Sequence, residues 1–150
     1  MLEGNVSEYR TDTSPNEEVS PLAMAMGIGC LVLSLPAAVI GIMEFVDATN
    51  YGILGWTMNS ILYSSTSVLL LIGTGLWLMG ILKTQLAKMS VGIPLVMLSL
   101  FTLIRRYTEI NANLQSWGES FVQGLDYPWV HEQMELSFLG ILIGVIIMTK

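Results

Sequence analysis

Few side chains in this chain of 150 residues can do chemistry, and their spacing limits what that chemistry can be. His131, Glu132 and Glu135 stand at the head of an apolar run, with His131 and Glu135 one helical turn apart on a shared face. They offer two or three ligands of a metal site that another chain would have to complete. Zinc and copper sites need clusters of His or Cys, and a haem between helices usually needs histidines on facing helices. His131 is the only histidine and Cys30 the only cysteine. A solvated, charged helix start is therefore the plainer reading, and no cofactor or metal is expected. Glu44 and Asp47 close another apolar run. At the headgroup level they would point to water, although a carboxylate held at a membrane edge can also bind a cation or titrate. Ser60, Ser64, Ser67 and Thr74 share one side of a third run, with Asn59 and Tyr63 beside them. In lipid such hydroxyls bond back to their own helix or across to a neighbour, for about 0.6–2 kcal/mol each. The alternative is a wall for water or a solute. No Walker-type loop, Rossmann glycine pattern or nucleophile paired with a base is present. The chain by itself is not expected to be an enzyme.

The elements that carry these residues read as membrane spans. The composition is 53% hydrophobic and 12% charged, against about 25% charged in soluble domains, and mean hydropathy is +0.64. Ala48–Leu82 contains no charged side chain at all. The fold class expected is all-α: an integral membrane four-helix bundle. Its spans are placed at 21–46, 56–82, 89–106 and 128–150, with an amphipathic helix at 107–125 between the third and fourth. Residues 1–20, with five acids against Arg10, read as a flexible acidic tail holding too little apolar surface to offset the entropy of ordering. The tail lacks the basic start and immediate apolar stretch of a secretory signal. Ser20 followed by Pro21 is a helix start, Thr49 or Asn50 is read as the cap of the second span, and Asp126 with Pro128 opens the fourth. Pro36 predicts a kink, and Pro94 falls in the first turns of the third span. Trp56 and Trp77 lie about 31 Å apart at helical rise, as interfacial belts would. The third apolar run, Met89–Ile104, reaches only about 24 Å. Arg105 and Arg106 are expected to lengthen it by snorkelling.

Between helices in lipid no hydrophobic force acts, so small residues that let backbones approach mark the contact faces. Ala23, Gly27, Ser34, Ala38 and Gly41 form one such face on the first span. Ser137, Gly140 and Gly144 form another on the fourth, where Gly140 and Gly144 make a GxxxG. Ile110, Leu114, Trp117 and Phe121 line the apolar side of the amphipathic stretch and are read as a docking face, for another helix of this chain or for a partner.

A net charge of −6 with a pI near 4.5 argues against nucleic acid and against electrostatic anchoring to anionic lipid. No internal repeat and no mid-span charge points to a proton-coupled carrier. The plan of four spans with a longer final loop is similar to that of tetraspanins in outline alone, since the loop cysteines of that family are missing. The expected function is non-catalytic: a structural or accessory subunit of a larger membrane assembly, either a membrane protein complex or the membrane of an enveloped particle. The small-residue faces exceed what four short helices need among themselves, so other membrane-protein subunits are expected as partners besides membrane lipid. The alternative is a small homo-oligomeric channel or facilitator lined by the Ser/Thr stripe. Recruitment of a soluble partner by the tail is a third role. Four spans put both termini on one side, and four basic residues (Arg10, Lys83, Lys88, Lys150) against two (Arg105, Arg106) favour the cytoplasm for it.

Overall fold

A computed structural model describes residues 19–52, 54–117 and 128–150, with the side chains of 54–56, 113–117 and 128–130 left aside. The described residues form four α-helices and no strand: α1 Pro21–Asn50, α2 Leu54–Leu78, α3 Gln85–Trp117 and α4 Pro128–Thr149. Each is long and apolar enough to cross a membrane. Even α4, with 22 residues, spans about 33 Å against a hydrocarbon core of about 30 Å. Side chains are distributed as lipid demands. Leu35, Ile42 and Met97 are 68%, 64% and 63% exposed, whereas Thr66, Ser99 and Ser137 are fully buried. In water this arrangement would be inside out.

Helix ends follow local chemistry. The backbone N–H of Ala23 donates to Ser20 Oγ at 3.1 Å, and Pro21 occupies the first turn. The second span was expected to begin with Thr49 or Asn50 as its cap, but both belong to the last turn of α1. The Thr49 hydroxyl bonds back to the Phe45 carbonyl at 2.7 Å, and the chain turns only at Gly52, whose φ is +68°. That span was also expected to reach Leu82. It ends at Leu78 because Gly80, at φ +67°, closes a Schellman motif: Gly80 N–H donates to the Trp77 carbonyl and Ile81 N–H to that of Leu76, both at 3.0 Å. Thr84 then caps α3 through the Ala87 N–H at 3.2 Å. The largest difference lies further on. The amphipathic stretch from 107, read either as a continuation of the third span or as a helix lying flat along the interface, continues α3 without a break as far as Trp117. No Gly or Pro interrupts the backbone there, and the two arginines are held by neighbouring helices. Residues 118–125, with Phe121, and the tail 1–18 lie outside the described residues.

The helices pack as two antiparallel pairs, α1 with α2 and α3 with α4, and α2 also lies against both α3 and α4. In the first pair Gly27, Ser34, Gly41 and Ala48 are buried at every seventh position of α1. A seven-residue repeat keeps one seam on its neighbour over several turns. At the seam's start a Cβ on Gly27 would stand 2.9 Å from the Gly75 carbonyl oxygen, and one on Gly75 would stand 2.9 Å from that of Gly27. The second pair repeats the device: a Cβ on Gly92 would meet the Gly144 carbonyl at 2.8 Å, and one on Gly144 the Gly92 carbonyl at 3.0 Å. Both glycine contacts lie toward the same end. There Gln85 Nε2 donates to the Met148 carbonyl at 3.0 Å, and Val19, Ser20, Trp77 and Lys150 border one cavity. The start of α1 and the end of α4 therefore meet at this end.

Gly140 meets α3 differently. A Cβ there would overlap Ser99 Oγ and come within 3.2 Å of Ser99 Cβ. Ser99 Oγ is fully buried without a hydrogen-bond partner among the described residues. Gly140→Ala is therefore expected to destabilise the protein by about 1–3 kcal/mol, the usual cost of overpacking. Adding Ser99→Ala, which removes the clashing oxygen, should restore a substantial part. Reversible unfolding in mixed micelles measures both; equal losses for the single and the double variant would show that Ser99 does not oppose Gly140.

Candidate functional site

The residue types with most chemical capacity come together at the end opposite the glycine contacts. Asn59 lies in the second turn of α2 and is buried. Its Nδ2 donates to both carboxylate oxygens of Glu109 on α3, at 3.1 and 2.8 Å, and its Oδ1 accepts from Arg105 Nε at 2.9 Å. Arg106 Nη1 donates to Glu109 Oε2 at 2.9 Å, and Arg106 Nε donates to Gln133 Oε1 on α4. The Arg106 and Glu109 side chains are 14% and 29% exposed, so the pair is largely desolvated. One amide thus serves an arginine and a carboxylate, one carboxylate serves an amide and an arginine, and three helices are joined. Tyr63 lies within electrostatic reach of Glu132 on α4 and Glu44 on α1.

These groups lie in the outer turns of the candidate spans. Arg105 stands seven residues from the middle of the span Gln85–Ala112, about 10 Å along the axis, inside a half-thickness of about 15 Å. An ionisable side chain there needs a partner within the protein. Below the network runs a seam of hydroxyls. Thr66 and Thr102 approach at 3.4 Å across α2 and α3, and each also donates to a carbonyl of its own helix, Leu62 at 2.7 Å and Leu98 at 2.8 Å. Ser137 on α4 does the same to the Gln133 carbonyl at 2.7 Å.

The residues singled out in the sequence are distributed as follows. Gly27, Ser34 and Gly41 are buried in the α1–α2 seam, with Ala23 and Ala38 half-buried; Ser137, Gly140 and Gly144 are buried within the chain. The small-residue faces offered to other subunits are thus occupied by helices of this chain. The residues of the Ser60, Ser64, Ser67 and Thr74 stripe differ in setting. Ser60 is buried, a Cβ at Gly41 would fall on Ser64, Ser67 donates to the Tyr63 carbonyl at 2.9 Å, and Thr74 is half-buried. Glu44 and Asp47 are exposed near the end of α1. Of the expected docking face, Ile110 is buried inside the chain; the side chains of Leu114 and Trp117 lie outside the described residues, as does Phe121. His131, Glu132 and Glu135 are exposed, and among the described residues no three His, Cys, Asp or Glu groups are placed to share a metal.

Sequence reasoning missed the network. The sequence reading gives Arg105 and Arg106 to snorkelling and assigns no role to Gln133 or Thr102. The one available signal was that Arg106 and Glu109 are three apart and Asn59 is an uncommon residue inside an apolar run. No family model, curated protein or solved structure matches the chain.

The arrangement holds helices; it places no nucleophile beside a base. Asn59→Leu leaves Arg105 and Glu109 short of a partner and is expected to destabilise by about 1–3 kcal/mol, the desolvation penalty of unpaired groups. Thr66→Val, which loses a long contact and a bond to its own helix, should cost about 0.6 kcal/mol or less. Unfolding in mixed micelles ranks them; the reverse order would place the principal polar tie in the hydroxyl seam instead.

Proposed function

We propose that the chain is a multi-pass membrane protein, a four-helix bundle acting as a structural or accessory subunit of a larger membrane assembly. One observation carries the reading: α1 packs on α2 and turns most of its thirty-residue length outward. Leu22, Val32, Leu35, Val39 and Met43 are all exposed along it. A helix so held suits a scaffold that neighbouring chains and lipid cover, since association in lipid rests on shape and polar ties. The polar network supports the same reading, because its charges are turned toward one another between helices and leave α2, α3 and α4 fixed. The sequence argument from surplus small residues no longer contributes, since those faces are taken up internally. In this proposal the end carrying Lys83, Lys88 and Lys150 is cytoplasmic.

The channel reading receives less support. Ser64 stands at the α1–α2 crossing and Ser67 is bonded to its own helix, so neither hydroxyl is directed at a water path.

Extraction of the native membrane in a mild detergent, followed by measurement of particle mass, tests the proposal. Co-purification of unlike membrane chains in fixed ratio is expected. A particle made of this chain alone would remove the accessory role, and a ring of identical chains that conducts in liposomes would put the channel in its place.

A further inference from the structure

We infer that the acidic segment 1–18 docks onto the lysine-bearing end of its own bundle, whatever chains cover α1.

Three lysines gather at that end. Lys88 Nζ donates to the Lys150 carbonyl at 2.6 Å, which ties α3 to the end of α4. Lys150 is exposed and borders a cavity with Val19, Ser20 and Trp77. Lys83 stands exposed in the connection from α2 to α3, just after Gly80. None of the three is in an ion pair with a described Asp or Glu. The described acids, Glu44, Asp47, Glu109, Glu132 and Glu135, all stand in the halves of their helices that lead to the polar network. Among the described residues this end is therefore purely cationic.

Place, charge and reach select the occupant. Val19 packs over Gly80: a Cβ on Gly80 would stand 2.6 Å from Val19 Cγ2. Segment 1–18 thus joins the bundle at the lysine end in every molecule. It carries Glu3, Glu8, Asp12, Glu17 and Glu18 against Arg10, opposite in sign to the face beside it. At about 3.5 Å per extended residue, Asp12 can stand up to about 25 Å from Val19 and Glu8 up to about 38 Å. Four helices spaced about 8–10 Å apart present an end about 20–25 Å across. Both acids therefore reach any of the three lysines. One exposed ion pair contributes little, but several on one tethered segment act together at an effective concentration in the millimolar range. A second copy offers its acids at far lower concentration, and a net charge of −6 sets the chain against an anionic leaflet.

The test uses the full chain in phosphatidylcholine nanodiscs, assembled from equal parts of light- and heavy-nitrogen protein. A water-soluble carbodiimide joins a carboxylate to an amine only where the two touch, and peptide mass spectrometry maps the amides formed. Glu17 and Glu18 are kept near the lysines by the backbone alone, so the informative products are those of Glu8 and Asp12. Amides from these two to Lys83, Lys88 or Lys150 within one chain are expected, falling about fivefold at about 1 M salt, where charges are screened beyond about 3 Å. Acetylation of Lys83 and Lys150 should quicken about threefold when residues 2–18 are deleted, and equally in a full-length chain carrying Glu3→Gln, Glu8→Gln, Asp12→Asn, Glu17→Gln and Glu18→Gln. No amide from Glu8 or Asp12, or acetylation unchanged in both variants, would overturn the docking. Amides of mixed isotope alone would give the face to the segment of a second copy and overturn it too. So would amides that vanish when about a fifth of the lipid is phosphatidylserine, since the lysines would then belong to anionic headgroups.

Discussion

Two carbonyl-to-glycine approaches fix how near the helices of each pair lie, and much else in the structure follows from that distance. Lipid tails are as apolar as leucine, so burying a leucine between helices in a membrane gains little. What is left is contact at short range, and contact is closest where no Cβ intervenes. Gly27 with Gly75 and Gly92 with Gly144 are reciprocal: each backbone occupies the space in which the other would carry a side chain. Weak Cα–H···O interactions recur at such crossings and add a little at each. Ser99 against Gly140 extends the logic. Its oxygen has no N–H or O–H partner among the described residues, yet it fits only because residue 140 has no side chain.

The opposite end is held by a different force. Toward that end the ties become Asn59, Arg105, Arg106, Glu109 and Gln133. Within the apolar part of a bilayer an unpaired ionisable side chain is costly. Once two arginines and a glutamate are placed there, the gain from pairing them across helices is large and directional. The glycine end sets distance and the polar end sets rotation, since a turn of α2 or α4 about its own axis would carry Asn59 or Gln133 out of reach. The thin margin of the positive-inside count has the same origin: both opposing arginines are inter-helix ligands as much as loop charges.

How far the sequence could be read divides along one line. Properties of single residues were legible. Apolar runs located all four helices, and Ser20 with Pro21 located the start of α1. Properties of pairs were not. Nothing in the runs says that Gly140 meets Ser99 rather than another chain, or that Asn59 lies beside residues 46 and 50 positions away. The helix-end errors share this character. Hydropathy continues smoothly through Gly80, and only the left-handed backbone shows that the helix has stopped. Thr49 is a sound capping residue by type, but its hydroxyl turns back to Phe45. Arg105 and Arg106 marked a membrane boundary in the sequence because charge usually leaves the hydrocarbon; here partners are brought to the charge.

The same reasoning separates α1 from the other helices. α2, α3 and α4 share the polar network, so moving any of them breaks directional bonds. α1 is joined to α2 by a seam of small residues whose described hydroxyl, that of Ser34, bonds to its own Leu31 carbonyl at 2.7 Å and not across to α2. Its hold is steric, closest where Gly27 faces Gly75 and Gly41 faces Ser64. Ala48, near its C-terminal end, is fully buried, so the seam holds α1 along its length from Gly27 onward.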